Sequence, residues 1–467
     1  MADLAGNDRH CIIGAGASGL AIAKNFKQRG IPFDCLEREA DLGGLWNIGT
    51  DSGIVYETTH LVSASYSTSY DDLPMGDDEF PPYPSHAAVL DYFRRYVDEF
   101  GLADDIEFGK CVTRVAARAG RQWEVSVAGE DRSRIYRGVV IASGHHDVPR
   151  VPEYPGRFAG EVIHSRAYKS PRQVRDKRVL VVGCGNSATD IVSDAVHGGS
   201  RVCMSLRRGY WFVPKFMLGF PTHDVVSWVE FFPLPRLVKR WLFQASLWVL
   251  QGPPSRYQLP DPDYSIDQAH PTMSDEIPRL SAHGRITIKP EIAGFDGKRV
   301  LFTDGTAETV DMIVFATGYE PVVPFLDDGL IYDADGRSRF HLRVVHPEYP
   351  GLFAAGLVQA NGSMWRIADY QGQLIANLIV AQAKAPDYAA RFLAGMATAT
   401  GDVRRGTFLG SDRHRLEANY YDYRRLLKRH IRRFGPVRRM RLDPAASPGR
   451  APKSVVRRRE RAEEMAG

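Results

Sequence analysis

The chain has 467 residues, 44% of them hydrophobic and 25% charged, with a formal net charge of +4. This composition describes a globular chain of two or three domains and excludes a fibrous or wholly disordered one. Met1 to His10 lacks the apolar stretch of a secretory signal, no run of eighteen apolar residues occurs, and the five cysteines form no CxxC or CxxxxC pair. The expectation is a cytoplasmic protein without metal–thiolate chemistry and without a redox disulfide. From Arg424 onward fifteen Lys/Arg stand against four Asp/Glu, so the excess charge belongs to the C-terminal end and no nucleic-acid-binding fold is expected.

Cys11 to Ile13 reads as a short strand that runs into Gly14-Ala15-Gly16-Ala17-Ser18-Gly19. Leu20, Ile22, Ala23 and Phe26 then recur at helical spacing until Gly30, and a second strand, Phe33 to Leu36, ends at Glu37. A GxGxxG between strand and helix suits a dinucleotide. The first glycine permits the turn, the second admits the pyrophosphate, and the third lets helix and sheet approach; free N–H groups at the helix start face the phosphates, and an acid after the second strand takes ribose hydroxyls. Gly14, Gly16, Ala17, Ser18, Gly19 and Glu37 are the candidate residues.

Pro149 to Gly156 reads as a linker. The pattern then recurs. The strand Arg178 to Val182 ends in Gly183-Cys184-Gly185-Asn186-Ser187-Ala188, and Ala188, Ile191, Val192 and Ala195 form a helical stripe. The strand Arg201 to Leu206 ends not in an acid but in Arg207-Arg208, whose guanidinium groups suit a 2′-phosphate. The first site therefore reads as the FAD site, and the second as the NADPH site, with Gly183, Gly185, Asn186, Ser187, Ala188, Arg207 and Arg208 as its candidates. Within Trp228 to Leu250, the residues Leu237, Trp241, Leu242, Ala245 and Trp248 share one helical face. This predicts a core-packed or domain-covering helix; a lid over a substrate tunnel and a shallow membrane contact are the alternatives. A further strand leads into Ala316-Thr317-Gly318-Tyr319, and the segment 443–467, rich in Ala, Pro, Ser and Arg, is expected to be disordered.

Phe158, Gly160, His164 and Tyr168 form FxGxxxHxxxY just before the second nucleotide unit, and here the chain resembles the flavin-containing monooxygenase family. Gly44-Leu45-Trp46 resembles that family's flavin-contacting GGxW, while Ala142-Ser143-Gly144 and Thr317-Gly318 resemble its two inter-domain segments. The resemblance implies an α/β fold of two Rossmann-like domains, the NADPH domain inserted into the FAD domain. The expected boundaries are 1–168 and 311–442 for the FAD domain, 169–310 for the NADPH domain, and 443–467 for the tail. It implies cofactor contacts at Gly44, Leu45, Trp46, Val112, Ala142, Gly144, Thr317 and Gly318, and site roles for His60, Ser63 and His164, the last as a positioning residue. The implied reaction is oxygenation of a soft nitrogen or sulfur nucleophile by O2 through a C4a-hydroperoxyflavin, with a small organic molecule as the other partner. Baeyer–Villiger oxidation of a ketone and an uncoupled NADPH oxidase stand as alternatives. One departure bears on coupling: Val62 occupies the position where many family members carry an Asn. Tyr168, where Baeyer–Villiger relatives carry Trp, favours N- or S-oxygenation.

Overall fold

The computed structural model describes residues 8–76, 78–334, 336–398 and 416–442. Two five-stranded parallel sheets organise it. In the first, His10–Ile13 lies at the centre, flanked by Phe33–Leu36 and Gly138–Ile141, with Ile106–Glu107 and Leu352–Ala354 at the edges. Every residue of the three middle strands is buried, as a sheet covered on both faces requires. The helices Ala17–Gln28 and Met364–Lys384 pack on one side. A three-stranded antiparallel sheet, Val112–Arg118 with Gln122–Val127 and Arg134–Tyr136, shares a core with the other face.

The second sheet has the order Glu161–His164, Met312–Phe315, Arg178–Val182, Arg201–Ser205, Ile286–Lys289. Its outer and second strands move the expected boundaries. The sequence limits put Glu161–His164 in the first domain and Met312–Phe315 in its return, yet the two pair in register with each other, and the latter also pairs with Arg178–Val182. Backbone hydrogen bonding thus extends the second unit past both sequence limits, 168/169 and 310/311. The expectation of a disordered tail over 443–467 lies outside the described residues.

The helix Arg236–Gln251 corrects a second expectation. Only Leu247 on it is buried; Trp241 is 66% and Val249 80% exposed. It is not a core helix. Its inner face meets a cavity and its outer face is open.

Candidate active site

The first glycine turn is built by close approaches that admit no side chain. Gly14 has φ +105°, and a Cβ there would lie 2.8 Å from the Ala142 carbonyl oxygen; on Gly19 it would overlap the Gly14 carbonyl. Gly16 is different. A Cβ there meets Gly44 Cα at an ordinary 3.6 Å, so the protein's own packing does not demand glycine at that position. The space it leaves lies at the N-terminus of the helix Ala17–Gln28, whose first turn, including Ala17 and Ser18, carries no side-chain cap. An uncapped N-terminus beside open space fits an anionic pyrophosphate.

Other predicted residues surround this turn. The Gly43 N–H donates to Ala15 O (3.2 Å), which seats the turn Gly44–Trp46, and with it Leu45, against the glycines. The Ala15 N–H donates to a Glu37 carboxylate oxygen at 2.6 Å and the Glu39 N–H to the other at 3.0 Å. Burial raises the Glu37 pKa, against those two bonds. Val112 is buried in the core shared by Cys11, Ile13 and Leu36. The Ala142 N–H donates to Ile13 O, and Gly144 turns the chain with φ +76°. Sequence reading missed Gly356 as a wall of this site. It has φ +75°, and a Cβ there would overlap the Ser18 hydroxyl.

The second turn repeats the construction. Gly183 has φ +117°, with the Ala316 carbonyl 2.5 Å from where its Cβ would be. Gly185 precedes the helix Asn186–His197, again with no side-chain cap, and Ala188 is fully buried against the sheet. Asn186 accepts a hydrogen bond from the Met273 N–H (3.1 Å), and the Ser187 hydroxyl interacts with Tyr56. Arg207 is exposed at the end of its strand; the Arg208 guanidinium lies 4.9 Å from the Tyr264 ring centroid and 6.0 Å from that of Tyr210, within cation–π range.

Between the turns runs a latch. The Tyr56 hydroxyl donates to Asp190 (2.7 Å), and the Thr58 and Tyr168 hydroxyls donate to Asp194 (2.7 and 2.8 Å). One segment of the first unit is thereby fixed to the nucleotide helix of the second. Tyr168 is fully buried in this contact, so its hydroxyl serves the junction and carries no information about substrate. His164 has both ring nitrogens engaged with backbone: Nδ1 accepts from the Arg166 N–H (3.1 Å), and Nε2 donates to Gly318 O (3.1 Å). That pattern defines the neutral tautomer, and burial lowers its pKa. His164 is a positioning residue that holds the end of its strand to the Thr317–Gly318 segment. Thr317 itself hydrogen-bonds the Arg150 carbonyl.

A cavity of about 290 Å³ opens at the junction, lined among others by Val62, Ser63, Asn186, Phe243, His270 and Asn361. Ser63 reaches it, its hydroxyl 2.6 Å from that of Thr68. His60 does not; it is exposed, with Nδ1 2.9 Å from Thr58 O. His270, missed as a site residue, pairs with the buried Glu417 at 2.7 Å.

Two glycine turns, each before a helix with no side-chain cap, and a cavity to which the second contributes Asn186 fit a class: an oxidoreductase that passes electrons between two dinucleotides. The profile of the flavin-binding monooxygenase-like family matches residues 7–442. Dimethylaniline monooxygenase (N-oxide-forming) 2 of Rattus norvegicus is 32% identical over 435 residues, which are 88% of this chain and 80% of the relative. S-allyl-L-cysteine S-oxygenase from Allium sativum superposes with a TM-score of 0.61 at 21% identity, over 94% of this chain and 97% of that one. Cyclohexanone monooxygenase from Rhodococcus sp. Phi1, bound to NADP+, gives 0.64 at 16% identity, over 91% and 97%. The chain belongs to the flavin-binding monooxygenase-like family, and it is an FAD-containing, NADPH-dependent monooxygenase.

Proposed function

We propose that the enzyme oxygenates a soft nitrogen or sulfur atom of a small organic molecule, with FAD on the Gly14–Gly19 turn and NADPH on the Gly183–Ala188 turn. The observation that carries this reading is the cavity, which lies between the two units and touches Asn186 at the start of the NADPH helix. Its volume suits a small molecule, and Val62, Val213, Val226, Phe243, Ile266 and Met273 make much of its wall apolar. Bound FAD supplies the redox and oxygen chemistry. The protein's part is to bind, orient and exclude water. The latch at Tyr56, Thr58 and Tyr168 fixes that segment of the first unit to the helix Asn186–His197, and Val62 and Ser63 form part of the cavity wall. The relative at 32% identity supports the choice of nucleophile, since its name is N-oxide-forming; the S-oxygenase and the ketone-named neighbour, at 21% and 16% identity, share the fold. Incubation with NADPH, a dialkyl sulfide or tertiary amine, and a cyclic ketone tests this. An S-oxide or N-oxide is the expected product; a lactone as the main product would overturn the reading in favour of Baeyer–Villiger chemistry.

We also propose that the exposed helices work against an anionic bilayer while the bulk of the enzyme stays in the cytoplasm. Leu218 (77% exposed), Trp228, Phe231 (86% exposed), Trp241, Trp248 and Val249 are all exposed within residues 218–249, and none of the described helices is long and apolar enough to cross a membrane. Residues 231–260 contain Arg236, Lys239, Arg240 and Arg256 and no acidic residue. Lys239 pairs with Glu230, Arg236 with Asp422 and Arg240 with Asp267, and exposed aromatic and aliphatic side chains among basic residues are the chemistry of an interfacial contact with acidic lipid. Co-sedimentation with anionic phosphatidylserine-containing vesicles, and not with phosphatidylcholine alone, is expected. Trp241→Glu with Trp248→Glu should abolish it. Dimerisation with no vesicle binding would assign the surface to a second copy instead.

A further inference from the structure

The short strands Gln359–Ala360 and Glu417–Ala418 pair in parallel, with Ala360 opposite Ala418. The next residue on each is an asparagine, so the register sets Asn361 beside Asn419 where the helix Tyr420–Arg433 begins. Asn361 Oδ1 accepts from the Tyr420 N–H (2.9 Å), and Asn419 Oδ1 accepts from the Asp422 N–H (3.0 Å). A backbone N–H can only donate, so these two bonds fix which end of each amide is oxygen. Both asparagines line the cavity, and neither –NH2 group has an acceptor among the described residues. The helix start is thus already met by the two side-chain oxygens; what the pair offers to the cavity is its N–H donors.

Much of the remaining polar wall is engaged with protein. Ser63 is bonded to Thr68, the Tyr83 hydroxyl donates to Lys215 O, the Thr222 hydroxyl donates to Pro214 O, and His270 is held by Glu417 and Ala360 O. Asn186 repeats the pattern of the pair, but at the start of the helix proposed to hold NADPH. Among the charged lining residues Arg236, Lys239 and Arg240 stand against Glu230 and Asp267, a positive balance. Lys239 is 3.0 Å from Glu230, whereas Arg240 and Arg236 reach Asp267 and Asp422 only at 3.6 and 3.7 Å. Two adjacent N–H donors in a wall of positive balance suit an acceptor with two oxygens and a negative charge, which is a carboxylate.

We propose that the substrate carries a carboxylate beside its oxidisable nitrogen or sulfur, and that the amides of Asn361 and Asn419 hold it. The inference rests on the proposed function and narrows its substrate class. 4-(Methylthio)benzoate and its methyl ester share the sulfur and the ring and differ in the charge. The enzyme should oxygenate the acid with a kcat/KM about 10- to 100-fold above that of the ester, most of it in KM, as charge-assisted hydrogen bonds contribute. Asn361→Asp and Asn419→Asp keep the oxygen that meets the helix and turn the donor into an anion. Each should lower the acid-to-ester ratio at least about tenfold, with thermal melting as the check on the fold. Equal values for acid and ester in the parent overturn the proposal, whether or not the variants fold. So does a preference for the acid that both variants retain. Titration of the FAD- and NADP+-loaded enzyme with the acid, followed by flavin absorption, separates this proposal from the reading beneath it. Acid binding that the Asp variants lose, with no sulfoxide formed, keeps the carboxylate site and sinks the choice of a soft nucleophile. Sulfoxide from the ester and not from the acid keeps that choice and sinks the carboxylate site.

Discussion

Replacing Arg207 and Arg208 together by serine is expected to lower kcat/KM for NADPH by about two orders of magnitude and to leave the value for NADH nearly unchanged. The pair follows the second strand of the unit proposed to hold NADPH, where a ribose substituent would arrive. Arg208 is held by the Tyr264 and Tyr210 rings, so its guanidinium is preorganised; Arg207 is exposed and its contribution is reduced by solvent. Charge-assisted hydrogen bonds contribute about 1.5–3 kcal/mol each, and one preorganised and one screened arginine together amount to about the loss named. Steady-state kinetics with both nucleotides checks this. Equal losses for NADPH and NADH would mean that the arginines support the fold and do not read the 2′-phosphate.

Asp369→Ala is the substitution expected to cost most stability. Lys24 on the helix Ala17–Gln28 and Asp369 on the helix Met364–Lys384 form an ion pair of 2.6 Å with both side chains 3% exposed. Asn25 donates to the same carboxylate oxygen at 2.7 Å, and Gln373 donates to the other at 2.8 Å. The helices come this close because Gly372 faces Asn25 and Ile22 with no side chain of its own. Removing the carboxylate leaves buried Lys24 the part-exposed Asp72, at 2.5 Å, as its ion-pair partner among the described residues. The loss of one partner of a buried pair costs about 3–5 kcal/mol. Thermal melting should fall by roughly 6–20 °C for a unit of this size, and FAD should be retained less well, because the helix Ala17–Gln28 carries Ala17 and Ser18. A change below about 1 kcal/mol would show that Asp72 alone suffices.

What was legible in the sequence was local. Both glycine turns, their strands, Glu37 and the Arg207–Arg208 pair lie within single βαβ units, where turn chemistry and hydrophobic period act over about thirty residues. The domain limits were not legible, because Glu161–His164 finds its partner 151 residues later, in Met312–Phe315. Helical spacing identified Arg236–Gln251 as a helix but not what it faces; an apolar stripe has the same period against a core, a cavity wall or a lipid surface. Tyr168 was read through its position in a motif, and its hydroxyl turned out to be spent on Asp194.

The central claim is that electrons from NADPH put one oxygen atom of O2 into substrate. Turnover under 18O2 with a dialkyl sulfide, with NADPH consumption, labelled product and H2O2 counted together, tests it most directly. One 18O in the sulfoxide for most NADPH oxidised is expected, with H2O2 as a minor product even though Val62 stands at the position where many family members carry an Asn. NADPH oxidation matched by H2O2, with no labelled product from any sulfide or amine, would contradict it and make the protein an oxidase.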